Sequence, residues 1–202
     1  MSKEIKVIPR IAIQSLGAGL FLMAFFTKMW NGIAESGFKG SDDYLATITF
    51  SIFSLTFISY GIYFFRISKH FPKLSTDADK QEGKKIWKWY GIIFGIEGVT
   101  IPLVAFILLE FNLGDFIIPA IALIVGLHFY PMAKIFKRKI DYYLATWTCL
   151  IAIIGIYMTA TNTISQSAVF SFVGIGVALA TTSYGFYMLR TGYLYNQSFS
   201  IE

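Results

Sequence analysis

The stretch "WKWYGIIFGIEGVTIPLVAFILL", residues 87–109, decides the fold class of this chain. It contains 23 residues, and its only charged side chains are Lys88 near its start and Glu97 in its middle. An α-helix rises about 1.5 Å per residue, so roughly 20 apolar residues cross the 30 Å hydrocarbon core of a bilayer. The stretch therefore predicts a helix that spans a membrane.

Five further stretches of the 202-residue chain have the same character, and the composition agrees with 55% hydrophobic and only 14% charged residues. The stretches are too long for barrel strands and lack strand alternation, so helices are the expected spanning form. We predict an all-α, polytopic membrane protein with one six-helix domain over residues 1–202. The predicted spans are Ile11–Gly32, Tyr44–Phe65, Trp87–Leu109, Phe116–Phe136, Tyr142–Thr161 and Ala168–Leu189.

Basic residues are distributed unequally between the two ends of these spans. Only Lys28 and Lys39 lie on one side, and the other 15 of the 17 basic residues lie on the side of the chain termini. Positive charge favours the cytoplasmic side, so both termini are predicted to be cytoplasmic. The net charge of +5 then reflects topology and contact with anionic lipid, and no nucleic-acid partner is expected.

The one substantial connection, residues 67–86, is predicted to be cytoplasmic. It is predicted to contain a helix that starts near Asp77 and continues into the third span. Lys80, Lys84 and Lys88 are four residues apart and therefore share one face of this helix. We expect that face to contact anionic lipid headgroups.

Two octapeptides suggest an internal repeat. "SYGIYFFR" (59–66) ends the second span and "SYGFYMLR" (183–190) ends the sixth, with five of eight positions identical. "GLHFYPMAK" (126–134) in the fourth span aligns with "GIYFFRISK" (61–69) through its glycine, phenylalanine and lysine. The simplest interpretation is three tandem helical hairpins.

This alignment places His128 opposite Tyr63 and Tyr187, so three rings would lie at one depth in the cytoplasmic half. A second alignment pairs "YLATIT" (44–49) with "YLATWT" (143–148), in helices of opposite direction. It would indicate an inverted three-plus-three repeat. We favour the three hairpins, because the inverted scheme needs a large gap for the long connection.

Glu97 and His128 are the ionisable groups at unusual depth. Glu97 is about ten residues from Trp87, so roughly 15 Å deep, and His128 is about nine residues from Lys137, so roughly 13 Å deep. Their helices are sequential and antiparallel. We predict that the two side chains lie within hydrogen-bond or one-water reach and share a proton, since an isolated charge in hydrocarbon is costly.

Each of these residues precedes a proline. Pro102 removes the hydrogen bond to the Gly98 carbonyl, and Pro131 removes the bond to the Leu127 carbonyl. Both prolines are expected to kink their helices. Freed carbonyls in hydrocarbon need a donor, a water or an ion, so a polar cavity is predicted beside the ionisable pair.

Five other residues are candidates for the same site. Gln14 would line the mouth of the cavity, and Tyr63 and Tyr187 would lie at the depth of His128. Arg66 and Arg190 would extend inward or toward the interface. Glycines of the third span, and the pair in "GAG" (17–19), are expected to allow close helix packing. With two histidines and one cysteine, no metal site or other cofactor is predicted.

These observations favour a small permease or channel-like protein with a proton-linked site for an unknown solute or ion. One alternative is a structural, sensory or stress-related membrane protein in which the polar pair only holds helices together. A further alternative is an enzyme that uses the pair as acid and base on a lipid or small substrate; no nucleophile motif supports it, so enzymatic turnover is not favoured. The composition suits a bacterial inner membrane, and a homo-oligomer is compatible with it.

Overall fold

The computed structural model describes residues 8–42, 44–73 and 77–199, and nearly all of them are helical. Short 3-10 turns at Ser68–His70 and Gly114–Phe116 follow the second helix and precede the fourth. The six long helices confirm the predicted all-α fold. They are α1 (Arg10–Phe38), α2 (Leu45–Ile67), α3 (Asp77–Glu110), α4 (Ile117–Phe136), α5 (Lys139–Thr161) and α6 (Gln166–Phe199).

Each of the six helices is long and apolar enough to cross a membrane. Several extend past the predicted spans, most of all α6, which continues to Phe199, and α3, which begins at Asp77; α1 continues to Phe38. The helix predicted near Asp77 is present as the start of α3. Lys84 and Lys88 are exposed, whereas the side chain of Lys80 lies outside the described part of the chain.

Several helices end at a residue with left-handed backbone geometry. Lys39 has φ of 54° and its N–H donates to the Glu35 carbonyl at 2.8 Å. Lys137 likewise donates to the Ala133 carbonyl and has φ of 52°. In each case the hydrogen bond satisfies one of the carbonyl groups that the end of a helix leaves without a partner. Glycine is the usual residue at such a left-handed position.

Helix α6 is the centre of the bundle and α3 is its edge. Within the most apolar 18-residue segment of each helix, 67% of α6 is buried inside the protein but only 6% of α3. α6 packs against α1, α2, α4 and α5, whereas α3 packs principally against α4. The core therefore lies around α6, and α3 exposes most of its surface, which is apolar, to the surroundings.

Close helix contacts depend on glycine. A Cβ added at Gly174 of α6 would lie 2.5 Å from the Ala34 backbone nitrogen, and one at Gly17 would lie 3.1 Å from the Gly61 carbonyl oxygen of α2. At Gly19 it would meet the Met188 sulfur at 2.6 Å. The prediction that Gly17 and Gly19 allow close packing is therefore confirmed.

The same prediction is wrong for α3 within this chain. A Cβ added at Gly91, Gly95 or Gly98 would meet no atom within 4 Å among the described residues. The physical reason is position, because these glycines lie on the face of α3 that points away from α4. A small residue allows close helix packing only where a second helix lies against it.

The packing order leaves the repeat and the orientation as predictions. Sequential hairpins α1–α2, α3–α4 and α5–α6 all pack together, but α1–α6 and α4–α5 are equally neighbours. The N–H of Arg10 donates to the Pro72 carbonyl at 2.9 Å, so the start of α1 and the end of the α2 connection lie at one end of the bundle. Helix packing of this kind is compatible with insertion in either direction.

Candidate functional site

The structure brings Glu97 of α3 and His128 of α4 together. The His128 Nδ1 atom lies 3.3 Å from the Glu97 Oε1 atom, and the two side chains are only 11% and 12% exposed. Glu97 lies near the middle of the span Gly83–Glu110. The predicted proximity of the two residues follows from matched depth on adjacent antiparallel helices.

The contact is an ionic approach and not an aligned hydrogen bond. Nδ1 of His128 is buried and lacks a hydrogen-bond partner among the described residues, so the 3.3 Å approach does not meet hydrogen-bond geometry. The imidazole stacks on Phe129 with ring centroids 4.3 Å apart and lies 5.6 Å from the Phe94 ring. A small rotation of either side chain would convert the approach into a hydrogen bond.

A cleft of about 270 Å³ between α3 and α4 contains the pair. Its size is close to that of small ligand sites, and it has room for a small solute or several waters. Thr100 is its other hydrogen-bonding side chain, and its remaining surface is apolar. The full lining is Ile93, Ile96, Glu97, Thr100, Ile124, Leu127, His128 and Pro131.

The two prolines have different relations to this cleft. Both lie inside continuous helices, Pro102 in α3 and Pro131 in α4. Both are exposed, but Pro131 is part of the cleft wall and Pro102 does not line it. Only the carbonyl released by Pro131, that of Leu127, belongs to a residue of the cleft.

The other predicted site residues are not brought to the cleft. Gln14 is half-buried on α1, a helix that packs against α2 and α6, so its predicted place at the cavity mouth is not observed. Arg66 and Arg190 are exposed near the ends of α2 and α6. Tyr63 is 42% exposed and accepts a hydrogen bond from Asn196, while Tyr187 stacks on Tyr184, next to it on α6.

Sequence reasoning missed a polar centre inside the bundle. The Thr27 hydroxyl of α1 lies 3.0 Å from the Thr181 hydroxyl and 3.4 Å from that of Thr182, both on α6. Thr181 also lines a cavity of about 10 Å³ with Tyr184 and the fully buried Thr148, a volume suited to a single water. Isolated threonines in apolar runs give little signal, because their hydroxyls can also bond to their own helix.

A second missed group lies at the start of α5. Asp141 is fully buried, and its Oδ2 accepts a hydrogen bond from Arg138 Nε at 3.1 Å. The Arg138 guanidinium lies over the rings of Phe136, at 4.3 Å, and Tyr184, at 5.4 Å. The signal was present as an Arg and an Asp three residues apart, with the acid in the first turn of a helix.

A third missed group joins α1 and α2 near the end of the bundle opposite the termini. Lys28 Nζ donates to Ser51 Oγ at 2.8 Å, Asn31 Nδ2 donates to Thr47 Oγ1 at 3.1 Å, and Thr47 Oγ1 donates to Glu35 Oε2 at 2.9 Å. These residues occupy one face of α1 and one face of α2. The predicted first span ends at Gly32, so Glu35 falls beyond it.

Within residues 8–42, 44–73 and 77–199, no three His, Cys, Asp or Glu side chains are grouped so that they could hold a metal ion. Comparison with protein families, with curated proteins and with solved structures finds no match to this chain. The function must therefore be argued from the residues themselves.

Proposed function

We propose that this chain is a small permease or channel-like membrane protein in which Glu97 and His128 form a proton-linked site. The observation that carries the proposal is their 3.3 Å contact inside a cleft at the middle of an apolar span. An ionisable residue in such a place is costly unless it is paired, and it commonly marks a substrate or proton pathway. Histidine is the side chain whose charge changes most readily near neutral pH.

The oblique contact supports exchange of a proton with the cleft. Because Nδ1 of His128 has no hydrogen-bond partner among the described residues, a water or solute in the cleft could bond to it and exchange a proton with it. Binding of a solute beside Thr100 would then change the charge of the pair, which is the requirement for proton-linked transport.

A second candidate is a non-catalytic membrane protein in which the pair anchors α3. The favouring observation is that α3 packs principally on α4, with only 6% of its most apolar window buried. Apolar side chains gain little from packing inside lipid, so a polar contact would contribute much of the α3–α4 association. In this role the pair would hold the helix without exchanging protons.

The experiment that separates the two candidates is a pH-jump current measurement on the reconstituted protein adsorbed to a solid-supported membrane. Proton binding inside the protein moves charge and gives a transient current even when no solute is present. The proposal predicts a transient in the wild type that is lost in Glu97→Gln, which keeps shape and polarity. The control Glu110→Gln removes an exposed acid from the end of the same helix and should keep it.

An unchanged transient in Glu97→Gln would overturn the proton-linked site. If that variant also lowers the unfolding temperature, the anchoring role would replace it. A lost transient with unchanged unfolding temperature would instead favour the proton-linked site over the anchor.

A further inference from the structure

We propose that Asn31, Glu35 and Thr47 form a binding site for a small monovalent cation between α1 and α2. Asn31 and Glu35 are in the last third of α1, which runs from Arg10 to Phe38. The site therefore lies near the end of the bundle opposite the chain termini. It is separate from the Glu97–His128 cleft, which is confined to α3 and α4. The inference does not depend on the proposed function.

The direction of the hydrogen bonds determines which atoms remain open. An ionised Glu35 can only accept, so the hydroxyl of Thr47 must use its one proton for the bond to Glu35 Oε2, 2.9 Å away. The Asn31 amide must then donate its Nδ2 proton to Thr47, at 3.1 Å, which turns its oxygen away. Two acceptors are left, Asn31 Oδ1 and Glu35 Oε1.

Both open oxygens are buried, and neither has a hydrogen-bond partner within the described residues. Asn31 is only 2% exposed, and its amide bonds to Thr47 of α2. Residues four apart lie on the same face of a helix, and both side chains contact the same hydroxyl, so the two oxygens belong to one small region. Burying unpaired acceptors is unfavourable, so the region favours a ligand that carries positive charge.

The ligand class follows from charge and atom type. Carboxylate, amide and hydroxyl oxygens are the ligands that hard cations prefer. An anion would meet only acceptors, and Glu35 is the one acid of the group. Lys28 is bonded to Ser51 one turn further along α2, so a positive charge already lies nearby and disfavours a divalent ion. With Lys28 and Glu35, a monovalent ion leaves the group with a charge of +1, whereas a divalent ion would leave +2.

The test measures thermal unfolding of the purified full chain in detergent. The protein is unfolded in NaCl, KCl or choline chloride at one pH and one ionic strength. Choline is too bulky to enter between the helices and has no proton to donate. A ligand that binds only the folded state raises its stability, so we expect Tm to be about 3 °C or more higher in NaCl or KCl than in choline chloride.

Variants assign the effect to this site. Glu35→Gln and Asn31→Leu should each abolish the difference between alkali cation and choline. Glu110→Gln, an exposed acid at the end of α3, should retain it. Glu97→Gln should also retain it, which separates this site from the cleft.

Either of two results would overturn the proposal. One is equal Tm in all three salts for the wild type, which would mean that a buried water or proton satisfies the two oxygens. The other is a cation difference that survives in both Glu35→Gln and Asn31→Leu. If one variant does not fold, the wild-type measurement and the other variant still decide the question.

Discussion

Gly174 of α6 lies so close to Ala34 of α1 that a Cβ on the glycine would be 2.5 Å from the Ala34 backbone nitrogen. Real Cβ atoms do not approach backbone this closely, and backbone cannot move aside as a side chain can. The adjacent Ser171 hydroxyl donates to the Ala34 carbonyl at 3.2 Å. The close approach of the most buried helix to α1 at this point therefore requires a residue without a side chain at position 174.

Because a Cβ at Gly174 would overlap the Ala34 backbone, Gly174→Ala should destabilise the fold by about 1–3 kcal/mol, the usual cost of overpacking a well-packed interface. Gly95→Ala is the matched control, because a Cβ at Gly95 would meet no atom within 4 Å in the described structure. Alanine is the better helix former by up to about 1 kcal/mol, so the control should be neutral or stabilising. Thermal unfolding in detergent compares the stability of the two variants. An equal loss of stability in both would contradict the prediction, because it would show that the α1–α6 contact tolerates an added Cβ.

The buried Arg138–Asp141 pair should be asymmetric toward substitution. Arg138→Met removes the positive partner of a fully buried carboxylate, and loss of one partner of a buried pair costs about 3–5 kcal/mol. The lower end is expected, because the arginine side chain is 24% exposed. Asp141→Asn, which removes the buried charge itself, should cost less. Lys139→Met, at an exposed neighbour, is the control for loss of one positive charge in unfolding measurements.

The orientation predicted from the basic residues can be tested by cysteine labelling. Ser36 and Ser165 are exposed at the end of the bundle opposite the termini, and Lys69 is exposed at the other end. In intact cells, a membrane-impermeant maleimide should label Ser36→Cys and Ser165→Cys but not Lys69→Cys. The native Cys149 is buried and should not react, so unsubstituted protein is the background. The reverse labelling pattern would place the termini outside.

The six helices and the Glu97–His128 contact could be predicted from the sequence for the same reason. A span is a local property of composition and length, and depth within two sequential antiparallel helices follows from counting residues. His128 and Glu97 were therefore brought to one level without any knowledge of the bundle. The helix that starts at Asp77 was recognised from local signals of the same kind.

The features that could not be predicted are those that depend on which helix faces pack against each other. Lateral order in a bundle is set by shape, and the sequence did not show that α6 would be central or that Gly91 and Gly95 of α3 would face away from α4. Gln14 was placed near the cleft by depth alone, yet it lies on a helix that packs against α2 and α6. The Asn31–Thr47–Glu35 chain was missed because the end of α1 was placed too early.

His128→Tyr should be the best-tolerated substitution at its position. The ring would keep its stacking on Phe129, and the internal alignment already has tyrosine at Tyr63 and Tyr187. We expect a loss below about 1.5 kcal/mol, as for other shape-conserving changes. His128→Ala should cost about 3 kcal/mol or more, because it removes a buried ring beside Phe129. Unfolding temperatures that fall equally in both variants would show that the imidazole itself is required for folding.

The most direct test of the central claim is infrared difference spectroscopy of the membrane-reconstituted protein during a pH titration. Protonation of a carboxylate produces a carbonyl band that is specific to the acid form and sensitive to its surroundings. We expect one such band that disappears in Glu97→Gln, persists in Glu35→Gln, and changes in frequency in His128→Tyr, because the imidazole 3.3 Å from the carboxyl group is replaced. A spectrum in which Glu97→Gln leaves every carbonyl band unchanged would contradict it.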